Sequence, residues 1–273
     1  MHPRWSLVVA AAALVLLTYA LLIEGWRRVL AELGGRLTLP RAAVIWLGSN
    51  LARYIPLSGW QMAVMTVMAK REAVPVSVSA GASLLLTIVN IVTGLGVFVA
   101  ASAMTPTIRI SALWFVGVGV LGLAVAPLLL PHLGRIASRL TGREITMPRI
   151  GLVPLLIAVV STTAAWIAYG FAFWVLARGV LPGDVRSFSG CVALYTGSYL
   201  AGVLAFVPPA GLGAAEYTMT VLAPQLGVFS AAEAALLAVI VRVGRTLLEI
   251  LPGVIALAIA AVVDGKRPEL RAE

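Results

Sequence analysis

Charged side chains are rare in the apolar stretches of this sequence, where an unpaired charge is costly. Glu216 follows a Pro- and Gly-rich segment, and a carboxylate there can bind a substrate or a proton, or can pair with a buried arginine. Arg242, Arg245 and Glu249 follow at i, i+3 and i+7, so a helix presents them on one face. Arg245 and Glu249 have the i, i+4 spacing of a helical ion pair. The sequence therefore predicts a polar stripe that faces the protein interior.

Arg242 is the arginine of this stripe best suited to bind a phosphate group. Ala238 and Thr246 lie four residues before and after it, so it has no acidic neighbour at that spacing. A guanidinium binds phosphate through two parallel hydrogen bonds. Arg242 can also pair with Glu216, and both interpretations hold if a substrate competes for the arginine.

A second set of polar residues surrounds the turn signal at 56–59, which has the sequence PLSG. Arg53 precedes this turn, Asn50 lies about one helical turn earlier, and Tyr54 and Gln61 flank it. These side chains predict a polar wall on the cytoplasmic side of a binding site. The alternative is that Arg53 only extends towards the membrane interface, as long basic side chains do.

The composition indicates that these residues are held by membrane helices. The 273 residues are 61% hydrophobic and 11% charged, whereas a soluble domain has about 25% charged residues. About 20 apolar residues form a helix that crosses the hydrocarbon core. Uncharged runs of about that length or more lie at 5–23, 73–107, 110–131 and 151–177. We predict an all-α polytopic integral membrane protein, a single transmembrane domain over 1–273 with about five full transmembrane helices.

The basic residues separate into two groups, as expected when Lys and Arg collect in cytoplasmic loops. Most can be placed inside, and Arg4, Arg109, Arg178 and Arg186 are placed outside. Only Arg53, Arg242 and Arg245 fall within apolar segments. This bias explains the net charge of +9 better than a nucleic-acid partner does. It predicts a multi-pass protein of the cell (plasma) membrane with a cytoplasmic C-terminus. The tryptophans mostly lie near the ends of predicted segments, which indicates an interfacial belt.

Neither a cofactor nor a metal site is predicted. Cys191 is the sole cysteine, so an internal disulfide and a cysteine metal site are excluded. The two histidines, His2 and His132, are not placed to act together.

Two apolar segments are interrupted by turn signals, and each arm is too short to cross a membrane. The first lies between Arg41 and Lys70, which the charge bias places on the same side, and it breaks at 56–59. The second covers 188–223 and breaks at 208–213, with both ends on the outer side. We predict two re-entrant helical hairpins that enter from opposite faces.

The two hairpins align without a gap at an offset of 152 residues, the separation of Pro56 and Pro208. Asn90 then occupies the position equivalent to Arg242. It is either a site residue or a residue that hydrogen-bonds between helices. Because three crossings lie between the hairpins, the second copy is inverted. The two repeats cover roughly 26–131 and 151–263. Inverted repeats with broken helices are a common transporter plan, in which the substrate site lies near the bilayer midplane. The breaks predict a polar cavity where the hairpins meet.

Both breaks resemble motifs of the lysylphosphatidylglycerol synthase transmembrane family. The first is NLARYIPLSGWQ at 50–61 and the second is FVPPAGLGAAE at 206–216, with Arg242 downstream. The likeness covers about 26–252. The family usually has Pro-Gly-Gly where this chain has Pro208-Pro209-Ala210, and commonly a basic residue at the position of Ala215. We expect a stand-alone member, because no aminoacyl-transferase domain follows Glu273.

The resemblance implies a lipid flippase-like transporter that moves an anionic or zwitterionic lipid head group, from a phospholipid or a polyprenyl-linked lipid, through the cavity. The alternatives are an intramembrane lipid-phosphate enzyme, a small-solute or ion secondary transporter, and a non-catalytic membrane partner. An enzyme is disfavoured because Glu216 and Glu249 are isolated and no histidine lies in a predicted span. A lateral opening of the cavity favours a lipid, and a closed aqueous vestibule favours a solute.

The predicted partner is a membrane lipid substrate, and a nucleic acid is not expected. A second copy of the chain or a separate lipid-synthesising enzyme is considered as a protein partner.

Overall fold

The computed structural model describes residues 3–55, 59–105, 150–183, 185, 187–205 and 209–265. These residues form helices and turns, and no strand occurs among them, which confirms the all-α prediction. The helices are α1 (Trp5–Glu32), α2 (Leu39–Asn50), α3 (Trp60–Arg71), α4 (Val76–Ala103), α5 (Leu152–Val180), α6 (Phe188–Leu204), α7 (Ala214–Gln225) and α8 (Ala231–Gly265). Two short 3-10 turns, Leu51–Tyr54 and Pro209–Gly211, precede α3 and α7.

In the described part of the chain, four helices are long and apolar enough to cross a membrane, namely α1, α4, α5 and α8. Each has at least 28 residues, or about 42 Å at the α-helical rise, which exceeds a hydrocarbon core of about 30 Å. The shorter apolar helix α6 has 17 residues. The predicted run at 110–131 lies outside the described residues.

The last apolar segment forms one helix, because α8 continues through Pro252. Gly253 follows the proline, and α8 contacts α2 there: a Cβ on Gly253 would lie 2.8 Å from the carbonyl oxygen of Leu47. A residue without a side chain is therefore needed where the two helices approach.

The second break depends on backbone conformations that favour glycine. Gly211 and Gly213 have φ angles of 68° and 84°, and Ala210 has a φ of 49°. Glycine adopts this left-handed region without the steric cost that a Cβ brings. Gly211 also packs against α6, since a Cβ there would lie 2.5 Å from the carbonyl oxygen of Gly202. The break is thus closely packed as well as turned.

The helices α2 and α3 fold back on each other, so the beginning of α2 and the end of α3 lie together. Arg41, near the start of α2, lies 3.4 Å from the carboxylate of Glu72, the residue that follows α3. Arg41 also donates from Nη1 to Asp264 near the end of α8, at 3.0 Å. One end of the molecule therefore carries the outer ends of this first hairpin and the C-terminal end of α8.

The second hairpin, α6 and α7, has its outer ends beside the beginning of α8. A Cβ on Gly190 of α6 would lie 2.5 Å from Val228, which lies between α7 and α8. The rings of Phe229 and Phe173 of α5 are 6.3 Å apart. The backbone N–H of Arg4 donates to the carbonyl of Gly179 at 2.8 Å, so the beginning of α1 meets the end of α5.

Two hydrophobic clusters fill the two halves of the molecule. One combines residues of the first hairpin with parts of α1, α4 and α5. The other combines residues of the second hairpin with parts of α4, α5 and α8. The two 3-10 turns contact each other between these clusters, so the breaks of both hairpins meet inside the protein. The placement of the hairpins relative to a bilayer stays a prediction, as does the inverted repeat.

Candidate functional site

Glu249 of α8 lies where the breaks meet, and its side chain is 1% exposed. Its Oε1 accepts a hydrogen bond from Nε of Arg245 at 2.8 Å, the predicted i, i+4 pair. The same oxygen accepts from Nη1 of Arg53 at 3.2 Å, and Oε2 accepts from the hydroxyl of Tyr54 at 2.8 Å. A buried carboxylate needs such partners, because it has lost its hydration. Arg53 therefore points into the protein.

Tyr199 of α6 joins this network to the second hairpin. Its hydroxyl accepts a hydrogen bond from Nη2 of Arg53 at 2.9 Å. The guanidinium carbon of Arg245 lies 4.4 Å from the centre of the Tyr199 ring, a cation–π distance. The first hairpin, the second hairpin and α8 are thus connected through one set of polar side chains.

The network carries an excess of positive charge. Two guanidiniums, those of Arg53 and Arg245, share the carboxylate of Glu249, so these three groups have a net charge of +1. In a buried position this excess attracts an anion more strongly than it would in water, since screening is weak there.

A cavity of about 300 Å³ lies between the two breaks. Arg53 and Arg245 line it, whereas Glu249 is not among the described residues that do. The amide side chains of Asn50, Gln61 and Asn90 line it as well. The predicted polar cavity where the hairpins meet is therefore present, with its cations at the wall and their shared carboxylate behind them.

Asn50 and Gln61 form a bridge between the two arms of the first hairpin. Nε2 of Gln61, near the start of α3, donates to Oδ1 of Asn50, the last residue of α2, at 2.6 Å. Asn90 of α4 accepts a hydrogen bond at its backbone oxygen from Nε1 of Trp166, at 2.9 Å. All three predicted amide residues thus lie at the site.

Aromatic side chains, which the sequence did not single out as site residues, also contribute to the wall. Tyr19, Trp166, Tyr169 and Tyr199 line the cavity. Trp166 is 2% exposed and lies at the middle of α5, so the prediction of an interfacial belt is wrong for this residue. Its ring meets that of Tyr199 edge to face, with the ring centres 5.1 Å apart. No local sequence pattern distinguishes these cavity-lining aromatics from aromatics of the core.

Glu216 and Arg242 form a second pair beside a small pocket of about 30 Å³. Nε of Arg242 lies 3.3 Å from Oε1 of Glu216, and Nη1 donates to the carbonyl of Ala210 at 2.9 Å. Oε2 of Glu216 accepts from the backbone N–H of Gly213 at 2.7 Å, so this carboxylate also caps α7. The pair therefore stabilises the backbone conformation of the second break.

The structure therefore divides the predicted site residues into two groups. The residues grouped at or directly behind the large cavity are Asn50, Arg53, Tyr54, Gln61, Asn90, Arg245 and Glu249. Glu216 and Arg242 are not among the residues that line that cavity. Tyr199, Ala215 and Arg245 line both pockets and separate them. Glu249, which the sequence indicated mainly as the helical partner of Arg245, has the central place.

Residues 1–253 match the lysylphosphatidylglycerol synthase transmembrane region, a range that contains both breaks and every residue named in the site. The chain belongs to this family. The match begins before the two motifs and includes α1. The family and the apolar helices together indicate a membrane-embedded, multi-pass protein with a role related to membrane lipids. A search of curated proteins gives no match.

Proposed function

We propose that this protein is a lipid flippase-like transporter, which moves an anionic or zwitterionic phospholipid or polyprenyl-linked head group through the cavity between the hairpins. The observation that carries the proposal is the arrangement of three side chains. Arg53 and Arg245 line the cavity, while Glu249 lies behind them and holds both guanidiniums. Because the carboxylate already orients each guanidinium, binding a phosphate costs less side-chain conformational entropy.

The size of the cavity fits a head group better than a whole lipid. Its volume of about 300 Å³ is at the lower limit of pockets that bind small molecules, which reach about 1,000 Å³. The acyl chains of a bound lipid would therefore remain outside, in contact with the bilayer. Transport of the head group alone through a polar path avoids moving a charged phosphate across hydrocarbon.

The position of the opening supports a lipid over a small solute. Thr87, Ile55 and Trp60 line the cavity and are also exposed at the surface. Thr87 lies near the middle of α4, far from either end of this long helix. We propose that the cavity opens at this level, where it would face the bilayer of a membrane-spanning protein, as a lipid site requires.

The arrangement of the hairpins supports the transporter plan. At the 152-residue offset, α2 and α3 correspond closely in their bounds to α6 and α7. The outer ends of the two hairpins lie at opposite ends of the long helices. We propose that both hairpins are re-entrant and that the end with Arg41 and Asp264 is cytoplasmic. In this orientation the C-terminus is cytoplasmic. We propose the cell membrane as the host membrane. A second copy of the chain or a lipid-synthesising enzyme would be the protein partner there.

The test is lipid movement in liposomes that contain the purified protein and an acyl-labelled phospholipid. A membrane-impermeant reductant bleaches the outer leaflet, and wild-type protein should make the inner label accessible as well. Arg245→Lys keeps the charge but loses the planar fork, so it should slow this movement while the protein still folds. Thr66→Val, on α3 and not among the cavity-lining residues, is the matched control. No movement beyond that in protein-free liposomes would count against transport, and release of phosphate from the lipid would favour the enzyme.

A further inference from the structure

The long helix α8 contacts both hairpins, one on each side of an internal proline, Pro252. We infer that α8 is a hinged lever, in which the part after Pro252 moves together with the first hairpin relative to the part before it. The role of this movement in lipid transport rests on the proposed function, whereas the movement itself does not. Three observations support the inference: the contacts before the proline, the contacts after it, and the backbone at the proline.

The part of α8 before the proline is bound to the second hairpin. Arg242 forms an ion pair with Glu216 of α7 at 3.3 Å, and it donates to the carbonyl of Ala210 in the second break at 2.9 Å. Leu237 is fully buried in the hydrophobic cluster that contains residues of this hairpin. Polar and apolar contacts together therefore fix the second hairpin to this part of the helix.

The part after the proline is bound to α2 of the first hairpin. Gly253 packs against α2, and one turn later a Cβ on Gly48 would lie 2.8 Å from the side chain of Leu257. Asp264, near the end of α8, accepts a hydrogen bond from Arg41 near the start of α2 at 3.0 Å. At 3.6 residues per turn, positions 253, 257 and 264 lie on one face of α8. Because α2 contacts this face at several levels, it should move with this part of α8.

The helical backbone is weakened at the proline itself. Proline has no N–H, so residue 252 cannot donate to the carbonyl of Leu248, and its ring crowds that carbonyl. Helices bend at such positions. Pro252 therefore places a joint between the part of α8 that binds the second hairpin and the part that binds the first.

Bending at Pro252 changes the shape of the large cavity. The first hairpin lines this cavity with Asn50 and Gln61, whereas α4 and α5 line it with Asn90 and Trp166. A first hairpin that moves with the end of α8 moves relative to the side chains that α4 and α5 provide. The lever thus links a bend in one helix to the width of the proposed path for the head group.

The experiment measures distances between pairs of spin labels by pulsed electron paramagnetic resonance, in liposomes and in a Cys191→Ser background. The labels are attached at Val239→Cys before the proline, Ile259→Cys after it and Val67→Cys on α3, three exposed positions. The pair at 239 and 259 spans about 30 Å of helix. It should give a broad distance distribution that Pro252→Ala narrows. The pair at 67 and 259 should give a narrow distribution in both proteins.

Pro224→Ala is the matched control, because Pro224 is an exposed proline inside another helix, α7. It should leave both distributions as they are in the wild-type background. The comparison of the two label pairs needs no change at Pro252, so it decides the matter if Pro252→Ala does not fold. The inference is overturned if the pair at 239 and 259 gives a distribution no broader than the pair at 67 and 259. It is also overturned if Pro252→Ala leaves the broad distribution unchanged.

Lipid movement in the same liposomes separates the lever from the proposed function. Pro252→Ala should move an acyl-labelled phospholipid more slowly than wild-type protein, because a stiffer α8 holds the first hairpin in one position. Pro224→Ala should keep the wild-type rate. If wild-type protein moves no lipid while the distances show the bend, the proposed function fails and the lever stands. If Pro252→Ala moves lipid at the wild-type rate, transport stands and the role of the lever in transport is overturned.

Discussion

Arg53 and Glu249 are 196 residues apart in the chain, and their side chains meet at 3.2 Å inside the protein. This contact joins the break of the first hairpin to α8. Arg245, on the same helix as Glu249, binds the same carboxylate oxygen at 2.8 Å. One acid therefore holds two arginines from distant parts of the chain, and the excess charge that results is the basis of the proposed anion site.

Removing the carboxylate should destabilise the protein strongly. Glu249→Gln leaves two guanidiniums close together without their counter-charge, which we expect to cost about 3–5 kcal/mol, as for other broken buried ion pairs. In the double variant Arg53→Gln/Glu249→Gln the net charge returns to +1, so its loss should be smaller than the sum of the two single losses by about 0.5–3 kcal/mol. Equilibrium unfolding in detergent measures all four proteins. Strictly additive losses would show that Arg53 and Glu249 are not coupled.

Glu216 should contribute to stability through two separate interactions, a helix cap and an ion pair. Glu216→Gln keeps an oxygen for the N–H of Gly213 but loses the charge opposite Arg242, so we expect a cost below about 1 kcal/mol for this partly exposed pair. Glu216→Ala loses both interactions, and the missing cap adds about 0.5–2 kcal/mol. The midpoints of thermal unfolding compare the two variants. Equal losses would mean that Glu216 does not cap α7.

The two glycines of the second break should respond differently to the same substitution. Both have positive φ angles, so alanine at either position costs about 1–2 kcal/mol in backbone strain. At Gly211 the new Cβ also meets the backbone of Gly202 within 2.7 Å, whereas at Gly213 nothing lies within 4 Å. Gly211→Ala should therefore reduce folded yield and unfolding temperature much more than Gly213→Ala. Similar values for the two would contradict the close contact between α6 and the break.

Some of these features follow from the sequence and some depend on long-range packing. The long apolar runs predicted α1, α4 and α5, because hydrophobic length is a local property. The pair of Arg245 and Glu249 was predictable for the same reason, since it lies within two turns of one helix. The ion pair of Arg53 and Glu249 could not be predicted, because no local spacing relates residues so far apart in the chain. Tyr199 and Trp166 were missed because an aromatic residue in an apolar segment has the same pattern whether it fills a core or lines a cavity.

The orientation of the first hairpin can be tested with single cysteines in a Cys191→Ser background. Arg36 precedes α2 and Lys70 lies in the last turn of α3. Both are exposed, so an impermeant thiol reagent can reach either position from solvent. If the hairpin is re-entrant, Arg36→Cys and Lys70→Cys are labelled from the same, cytoplasmic face of membrane vesicles. Arg4→Cys, also exposed and beside the far end of α5, should be labelled from the other face and serves as the control. Labelling of positions 36 and 70 from opposite faces would mean that α2 and α3 together cross the membrane, which would contradict both the re-entrant hairpin and the inverted repeat built on it.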